Sequence, residues 1–268
     1  MYARLLKKQL VKNLFKGKAL IVVGARQTGK TTLAMEIIDE FKKKRGVKIF
    51  NCDNPTDRGL LNNRDIEFLS KVIGESNIVL IDEGQKIGTA GQTIKLLVDH
   101  YKKEKQFIVT GSSSFNLLEK TEEALTGRKF VFHLFPLSFE EINPQRDMLA
   151  GIKELDNILV YGSYPEIASQ SSFEKKRILL QEITSSYLFK DVLEFQQLKN
   201  SGLIDKMLKA LAFQIGSEVS YNELSNLLEV NKKTVERYVD LLEKNFIIFR
   251  LSPYFRNRRR EIAKLKKI

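Results

Sequence analysis

The chain has 268 residues, 43% of them apolar, and a formal net charge of +12 with a single cysteine. That length and apolar share suffice for two or three units with cores of their own, while the longest apolar runs are strand-sized, far short of the ~18 residues that a membrane-spanning helix requires. Cys52 alone builds no internal disulfide, and His100 and His133 stand far apart, so disulfide scaffolds and Cys/His metal clusters are excluded. A cytoplasmic protein with no membrane partner is expected, with any metal arriving together with a ligand.

At the N-terminus, Tyr2, Leu6, Leu10 and Leu14 recur every four residues with Lys7, Lys8 and Lys12 between them, a pattern that predicts an amphipathic helix rather than a signal peptide. The apolar run 19–23 predicts a strand and the run 32–41 a helix. Between them, Gly24-Ala25-Arg26-Gln27-Thr28-Gly29-Lys30-Thr31 fits the phosphate-cradle pattern G-x-x-x-x-G-K-[ST] at every fixed position. Strand, loop and helix in that order are the context that such a cradle needs. Gly24 and Gly29 let the backbone turn its N–H groups toward phosphate oxygens, and the helix that follows directs its positive dipole end at the same charge. The residues from Gly24 through Thr32 are therefore expected to bind a nucleoside triphosphate, with Lys30 reaching the β- and γ-phosphates and the Thr31 hydroxyl holding Mg²⁺.

A second strand is expected at 47–51, followed by Asp53 in a turn-forming Asn-Cys-Asp-Asn-Pro segment. A strand is expected at 77–81, whose wholly apolar run 78–81 reads as a central parallel strand buried on both faces. Asp82, at its carboxyl end, is expected to hold Mg²⁺, and Glu83 to act as the base on the attacking water. A strand at 106–110 runs into Gly111-Ser112-Ser113-Ser114. Hydroxyls at the carboxyl end of such a strand face the ligand crevice, which makes Ser112, with Thr110 second, a candidate for contact with the γ-phosphate or the water. The alternative is a serine cap on a helix near 115–118. Thr126-Gly127-Arg128 precedes a strand at 129–135. An arginine at the start of a strand lies at the opposite edge from its own nucleotide, so Arg128 is a candidate for reaching the γ-phosphate of a neighbouring subunit; a structural salt bridge is the alternative.

The phosphate loop, the IDEGQ segment (81–85), the TGSSS stretch (110–114) and above all TGRKFVFHLFPLSFEEI (126–142) resemble a prokaryotic family of AAA+-like ATPases. The resemblance implies an oligomer-forming ATPase with Arg128 as a trans-acting finger, and a helical lid marked by Tyr161-Gly162-Ser163-Tyr164-Pro165-Glu166. A winged helix follows in that family, and usually a nuclease-like domain of unknown function. Departures are Ser163 where the lid normally has a second glycine, Lys190-Asp191 in place of an Arg-Asp pair, and Gly84 where an apolar residue is customary. The chain stops at Ile268, where the family ordinarily continues, which reads as a truncated gene or a fragment. No Asn-Lys-x-Asp base-reading motif follows the core, and Asn231-Lys232-Lys233-Thr234 is not one. The family analogy therefore favours ATP.

The pattern is helical over 151–200, as a lid should be. Amphipathic segments follow at 203–215, 221–228 and 232–244, the last with Asn231 as N-cap. Leu224, Leu227 and Leu228 on the second and Val235, Tyr238, Leu241 and Leu242 on the third are expected to face one core. A strand at 246–251 then leads into a tail in which, from Arg250 onward, eight basic residues stand against Glu261 alone. That order reads as a winged helix with a positive wing. Phosphate-backbone contact to DNA is expected from Lys232, Lys233, Arg237, Arg256, Arg258, Arg259 and Arg260; a protein-docking module or a solvated basic face is the alternative. The expected fold is thus α/β: an AAA+-like P-loop parallel sheet with helices on both faces over 1–150, a helical lid over 151–202 and a winged helix over 203–268. The expected activity is Mg²⁺-dependent ATP hydrolysis coupled to DNA, with a slow ATP-gated switch acting on a protein partner as the alternative.

Overall fold

The computed structural model describes residues 2–42, 46–112, 121, 124–145, 147–185, 201–254 and 266–268. The chain divides into two compact units, Met1–Leu180 and Gln181–Ile268.

In the first unit five strands form one parallel sheet: β1 (Ala19–Val23), β2 (Val47–Asn51), β3 (Ile78–Asp82), β4 (Gln106–Gly111) and β5 (Lys129–His133), in the order β2-β3-β4-β1-β5. Every residue of β1, β3 and β4 is buried, as continuous apolar runs covered on both faces require. The edge strands β2 and β5 are partly exposed, with Lys48 and Ile49 open to solvent.

Helices α1 (Leu6–Lys12), α2 (Lys30–Lys42), α3 (Pro55–Leu61), α4 (Ile66–Ile73) and α5 (Ala90–Tyr101) surround the sheet. Leu33, Ile37 and Ile38 of α2 and Leu10 of α1 pack with Leu20, Val22, Leu80 and Ile108, one set of alternate strand positions. Tyr101 of α5 meets Phe107, on the other set, with ring centroids 6.1 Å apart. Helices thus cover both faces. Because β4 lies between β1 and β3, the carboxyl ends of three adjacent strands converge where the phosphate loop begins. Relative to the expected bounds, β3 is shifted by one residue, from Ile78 to Asp82, and β5 stops at His133, with the Leu134 N–H making the last bond to β1, to Val23 O at 2.8 Å.

Beyond the sheet come α6 (Phe139–Ile142), α7 (Met148–Tyr161), α8 (Pro165–Ala168) and α9 (Phe173–Ile183), where a helical pattern was expected. Ser113, Ser114, the helix expected at 115–118, and Lys190-Asp191 lie outside the described residues.

The second unit contains α10 (Ser201–Ala212), α11 (Tyr221–Leu227) and α12 (Lys232–Lys244). Ile204, Met207, Leu211, Leu224, Leu228, Val235, Tyr238, Val239, Leu241 and Leu242 form its core. Leu227 is 63% exposed and does not join it: Leu224 and Leu228, four apart, take the buried stripe of this two-turn helix. The strand expected at 246–251 reduces to one bridge at Leu251, which exchanges both backbone hydrogen bonds with Lys267, while Lys267 also bridges Glu218. Two features keep the strand from forming. Phe246 has φ 60°, and the Arg250 N–H donates to Glu243 Oε1 at 3.3 Å instead of to a neighbouring strand.

Candidate nucleotide site

The loop from Gly24 to Gly29 turns sharply because its residues permit it. A Cβ on Gly24 would stand 2.1 Å from Leu134 O, so only glycine lets the chain after β5 pass this close. Gly29 has φ +91° and Gln27, without a glycine's freedom, φ 61°. Thr28, fully buried, ties the turn by donating from Oγ1 to Ala25 O at 2.9 Å. Lys30, 5% exposed at the start of α2, folds its ammonium back into the loop and donates to Gly24 O at 3.0 Å and Ala25 O at 2.7 Å. A single buried cation with backbone N–H groups at a helix start is a receptor for anionic oxygens.

Next to it, Thr31 Oγ1 donates to Asp82 Oδ1 at 2.8 Å, and Thr110 Oγ1 donates to the same carboxylate oxygen. Thr110 also accepts from the Glu83 N–H at 3.2 Å, joining the ends of β3 and β4. Hydroxyl and carboxylate oxygens are the donor set that Mg²⁺ prefers, so Thr31 and Asp82 fit a cation that accompanies a triphosphate. Among the described residues no cluster of three or more His, Cys, Asp or Glu side chains offers a second metal site.

Glu83 sits in the left-handed region, φ 53° and ψ 42°, which costs a non-glycine residue roughly 1–2 kcal/mol. It persists because its carboxylate is held: Gln85 Nε2 donates to Glu83 Oε2 at 2.5 Å, and Ser112 Oγ donates to the same oxygen at 3.3 Å. Gly84, the departure noted in the acidic segment, has a steric reason in this turn. A Cβ there would lie 2.6 Å from Val109 Cγ1 of the buried strand β4.

Three residues that motif reading passed over complete the site. Arg4 donates from Nη1 to Thr28 O at 2.8 Å, from Nη2 to Phe135 O at 2.6 Å and from Nε to Glu141 Oε1 at 3.2 Å. Glu141 also accepts from Leu5 N at 2.8 Å and, through Oε2, from Ser138 N at 3.0 Å, closing a capping box on α6. The signal for Glu141 was legible, since Ser138-Phe139-Glu140-Glu141 is the capping-box pattern; nothing in the sequence marks Arg4 or Gln85. Arg4, Tyr2, Gly29, Thr32, Leu137 and Pro165 line a cleft of about 320 Å³ beside the loop. Arg26 and Gln27 stand at the loop's partly exposed rim.

The remaining candidates lie elsewhere. Arg128 is at the amino-terminal edge of the sheet, its carbonyl accepting from Ala19 N at 2.9 Å, while the phosphate loop leaves β1 at the other end. Its guanidinium pairs with Asp99 of α5 at 2.5 Å and is well exposed. Asp53 pairs with Lys86 at 2.5 Å and its N–H donates to Asn51 Oδ1, which is turn chemistry. Lys232, Lys233 and Arg237 are exposed on α12. Arg256, Arg258, Arg259 and Arg260 lie outside the described residues. Arg250, counted in the basic tail, is engaged by Asp240 at 2.7 Å and by Glu243.

No helix among the described residues is long and apolar enough to cross a membrane. Residues 16–143 match a family model described as an AAA domain, and residues 152–268 match that of a domain of unknown function, DUF8612. The chain is similar to the uncharacterized protein Rv2008c of Mycobacterium tuberculosis, 25% identical over 249 residues that cover 93% of this chain and 53% of that protein. It is also similar to the uncharacterized protein MJ1544 of Methanocaldococcus jannaschii, 22% identical over 94% of this chain and 60% of that one. It therefore spans little more than half the length of these relatives. Among solved structures, the ADP form of the Aeropyrum pernix ORC2 protein aligns with a TM-score of 0.44 at 16% identity, covering 98% of this chain and 87% of that one. The stretch that matches the AAA domain model, residues 16–143, is the part of the chain built around the loop and acidic strand end described above.

Proposed function

We propose that this protein binds ATP with Mg²⁺ and hydrolyses it in the cytoplasm, and that turnover is tied to DNA engagement and to contact between copies of the chain. The observation that carries this reading is the bond between Thr31 on the loop helix and Asp82 at the end of β3, which brings a hydroxyl and a carboxylate together at the start of the helix that also carries Lys30. Bound Mg-ATP supplies a phosphoanhydride whose terminal phosphoryl can pass to water. The loop amides from Gly24 to Thr32 and Lys30 hold and neutralise phosphate oxygens, Thr31 and Asp82 hold the cation, and Glu83 takes the proton of the attacking water. Ser112 orients the water or the γ-phosphate. Arg128, at the far edge of its own sheet, acts on a neighbouring copy.

The lid of this reading spans 151–202 and the winged helix 203–268. Support for the winged helix is the order of three helices with antiparallel bridges from Lys267 to Leu251, after the third helix, and to Glu218, between the first and second; Arg256, Arg258, Arg259 and Arg260 fall between Leu251 and Lys267 in sequence. Lys232, Lys233 and Arg237 on α12 add exposed positive charge suited to DNA phosphates.

The test is ATP turnover with and without duplex DNA, set against Lys30→Ala and Glu83→Gln. Turnover that falls steeply in both variants and, in the wild type, responds to DNA supports the reading. Wild-type protein that binds ATP but does not turn it over under either condition supports an ATP-gated switch acting on a protein partner. One observation favours that second reading: Glu83 is already committed to Gln85 and Ser112.

A further inference from the structure

Gln85 lies on the 3-10 turn Gly84–Lys86 that follows Glu83 and is 9% exposed. Its Nε2 donates to Glu83 Oε2 at 2.5 Å and to Ser112 Oγ at 2.9 Å, while Ser112 Oγ donates to Glu83 Oε2 at 3.3 Å. Three side chains from the ends of two adjacent strands close a ring. We infer that Gln85 is the positioning residue of the hydrolytic base, its amide fixing the Glu83 carboxylate and joining it to the Ser112 hydroxyl; this rests on the hydrolysis reading above.

Proton counting separates the roles of the two donors. The Gln85 amide has two N–H groups and serves both partners at once, whereas the Ser112 hydroxyl has a single proton. When that proton turns toward a phosphate oxygen, Glu83 loses the serine but keeps the amide. Its carboxylate stays in place with lone pairs released for a water. Without Gln85 a three-torsion side chain on a left-handed backbone has, among the described residues, no side-chain donor to hold it while Ser112 is engaged with phosphate.

The test compares wild type, Gln85→Leu, Glu83→Gln and the double variant in single-turnover hydrolysis. It adds titration with a non-hydrolysable ATP analogue and the ¹⁵N side-chain amide spectrum of protein without added nucleotide. Gln85→Leu is expected to lower kcat about 100-fold, the cost of a misplaced catalytic group, with analogue affinity within about twofold. In the Glu83→Gln background the same change is expected to alter turnover by less than about twofold, because residues acting as one unit are not additive. The Gln85 NH₂ resonances, recognised by their loss in Gln85→Leu, are expected to shift in Ser112→Ala. Full turnover in Gln85→Leu, an equal fractional loss in both backgrounds, or resonances indifferent to Ser112→Ala overturns the inference and leaves ATP hydrolysis standing. A wild type that binds the analogue without turnover overturns both.

Discussion

Thr31 Oγ1 and Asp82 Oδ1 stand 2.8 Å apart although 51 residues separate them in the chain. The contact exists because β4 spaces β1 from β3, so the first turn of α2 reaches across to the end of β3. Thr31→Val keeps the shape of the side chain and removes the hydroxyl. The gain in ATP-analogue affinity on adding Mg²⁺ is expected to shrink at least about tenfold in this variant, with Mg²⁺-free affinity unchanged. Fluorescence titration with and without Mg²⁺ checks it, and an undiminished gain would remove Thr31 from the cation site.

Arg4 and Glu141 form an ion pair with side chains only 8% and 6% exposed. Removing one partner leaves a buried charge and loose backbone groups, at a cost of about 3–5 kcal/mol. Denaturant unfolding of Arg4→Met and Glu141→Gln is expected to show a loss of that order. Because Arg4 braces the Thr28 carbonyl, a bound nucleotide should recover less stability in Arg4→Met than in wild type. Equal nucleotide stabilisation in both would confine Arg4 to packing.

Arg128 pairs with Asp99 at the edge away from its own loop. If it serves a neighbour, subunits carrying Arg128→Ala and subunits carrying Glu83→Gln should each retain only residual activity alone and regain turnover when mixed, since mixed contacts restore one complete site. Complementation assays after co-refolding read this directly. No recovery at any mixing ratio assigns Arg128 to the salt bridge alone.

Lys232, Lys233 and Arg237 are proposed to meet DNA phosphates. Each substitution to alanine is expected to weaken binding to all duplex sequences alike and to reduce the slope of log affinity against log salt by about one. Fluorescence anisotropy across a salt series measures the slope; slopes identical to wild type exclude these residues from the interface.

Cys52 is wholly buried after β2, and burial, with Asp57 and Asp82 nearby, pushes its thiol up to about 12. The folded protein therefore keeps this proton at pH values where the unfolded chain releases it. The sign follows: the contribution is complete below about pH 9 and is lost as pH rises from 9 toward 12. Cys52→Ala should flatten the alkaline arm of the stability profile relative to wild type. Native protein at pH 8 should resist alkylation that the urea-unfolded chain undergoes readily; rapid native alkylation would contradict the burial.

The parallel sheet and the loop were readable because their signals are local: continuous apolar runs for buried strands and two glycines at fixed spacing for the turn. Asp82 and Glu83 followed from their place at a strand end. Arg4, Gln85 and Glu141 act through partners that the chain meets only after folding, Arg4 with a residue 137 positions away. No periodicity encodes such a choice. Leu227 misled because three- and four-residue spacings are equivalent on a short helix until packing selects one. The strand at 246–251 failed because a charged side chain, Glu243, captured the backbone donor that a ladder needed.

The Lys30 ammonium rests on the carbonyls of Gly24 and Ala25. An arriving polyanion must draw it off these oxygens, so capture is an exchange of partners in a pre-shaped recess rather than the ordering of slack chain. Such an exchange gives up some affinity for speed and reversibility, and between visits it keeps the turn from folding in on its own charge.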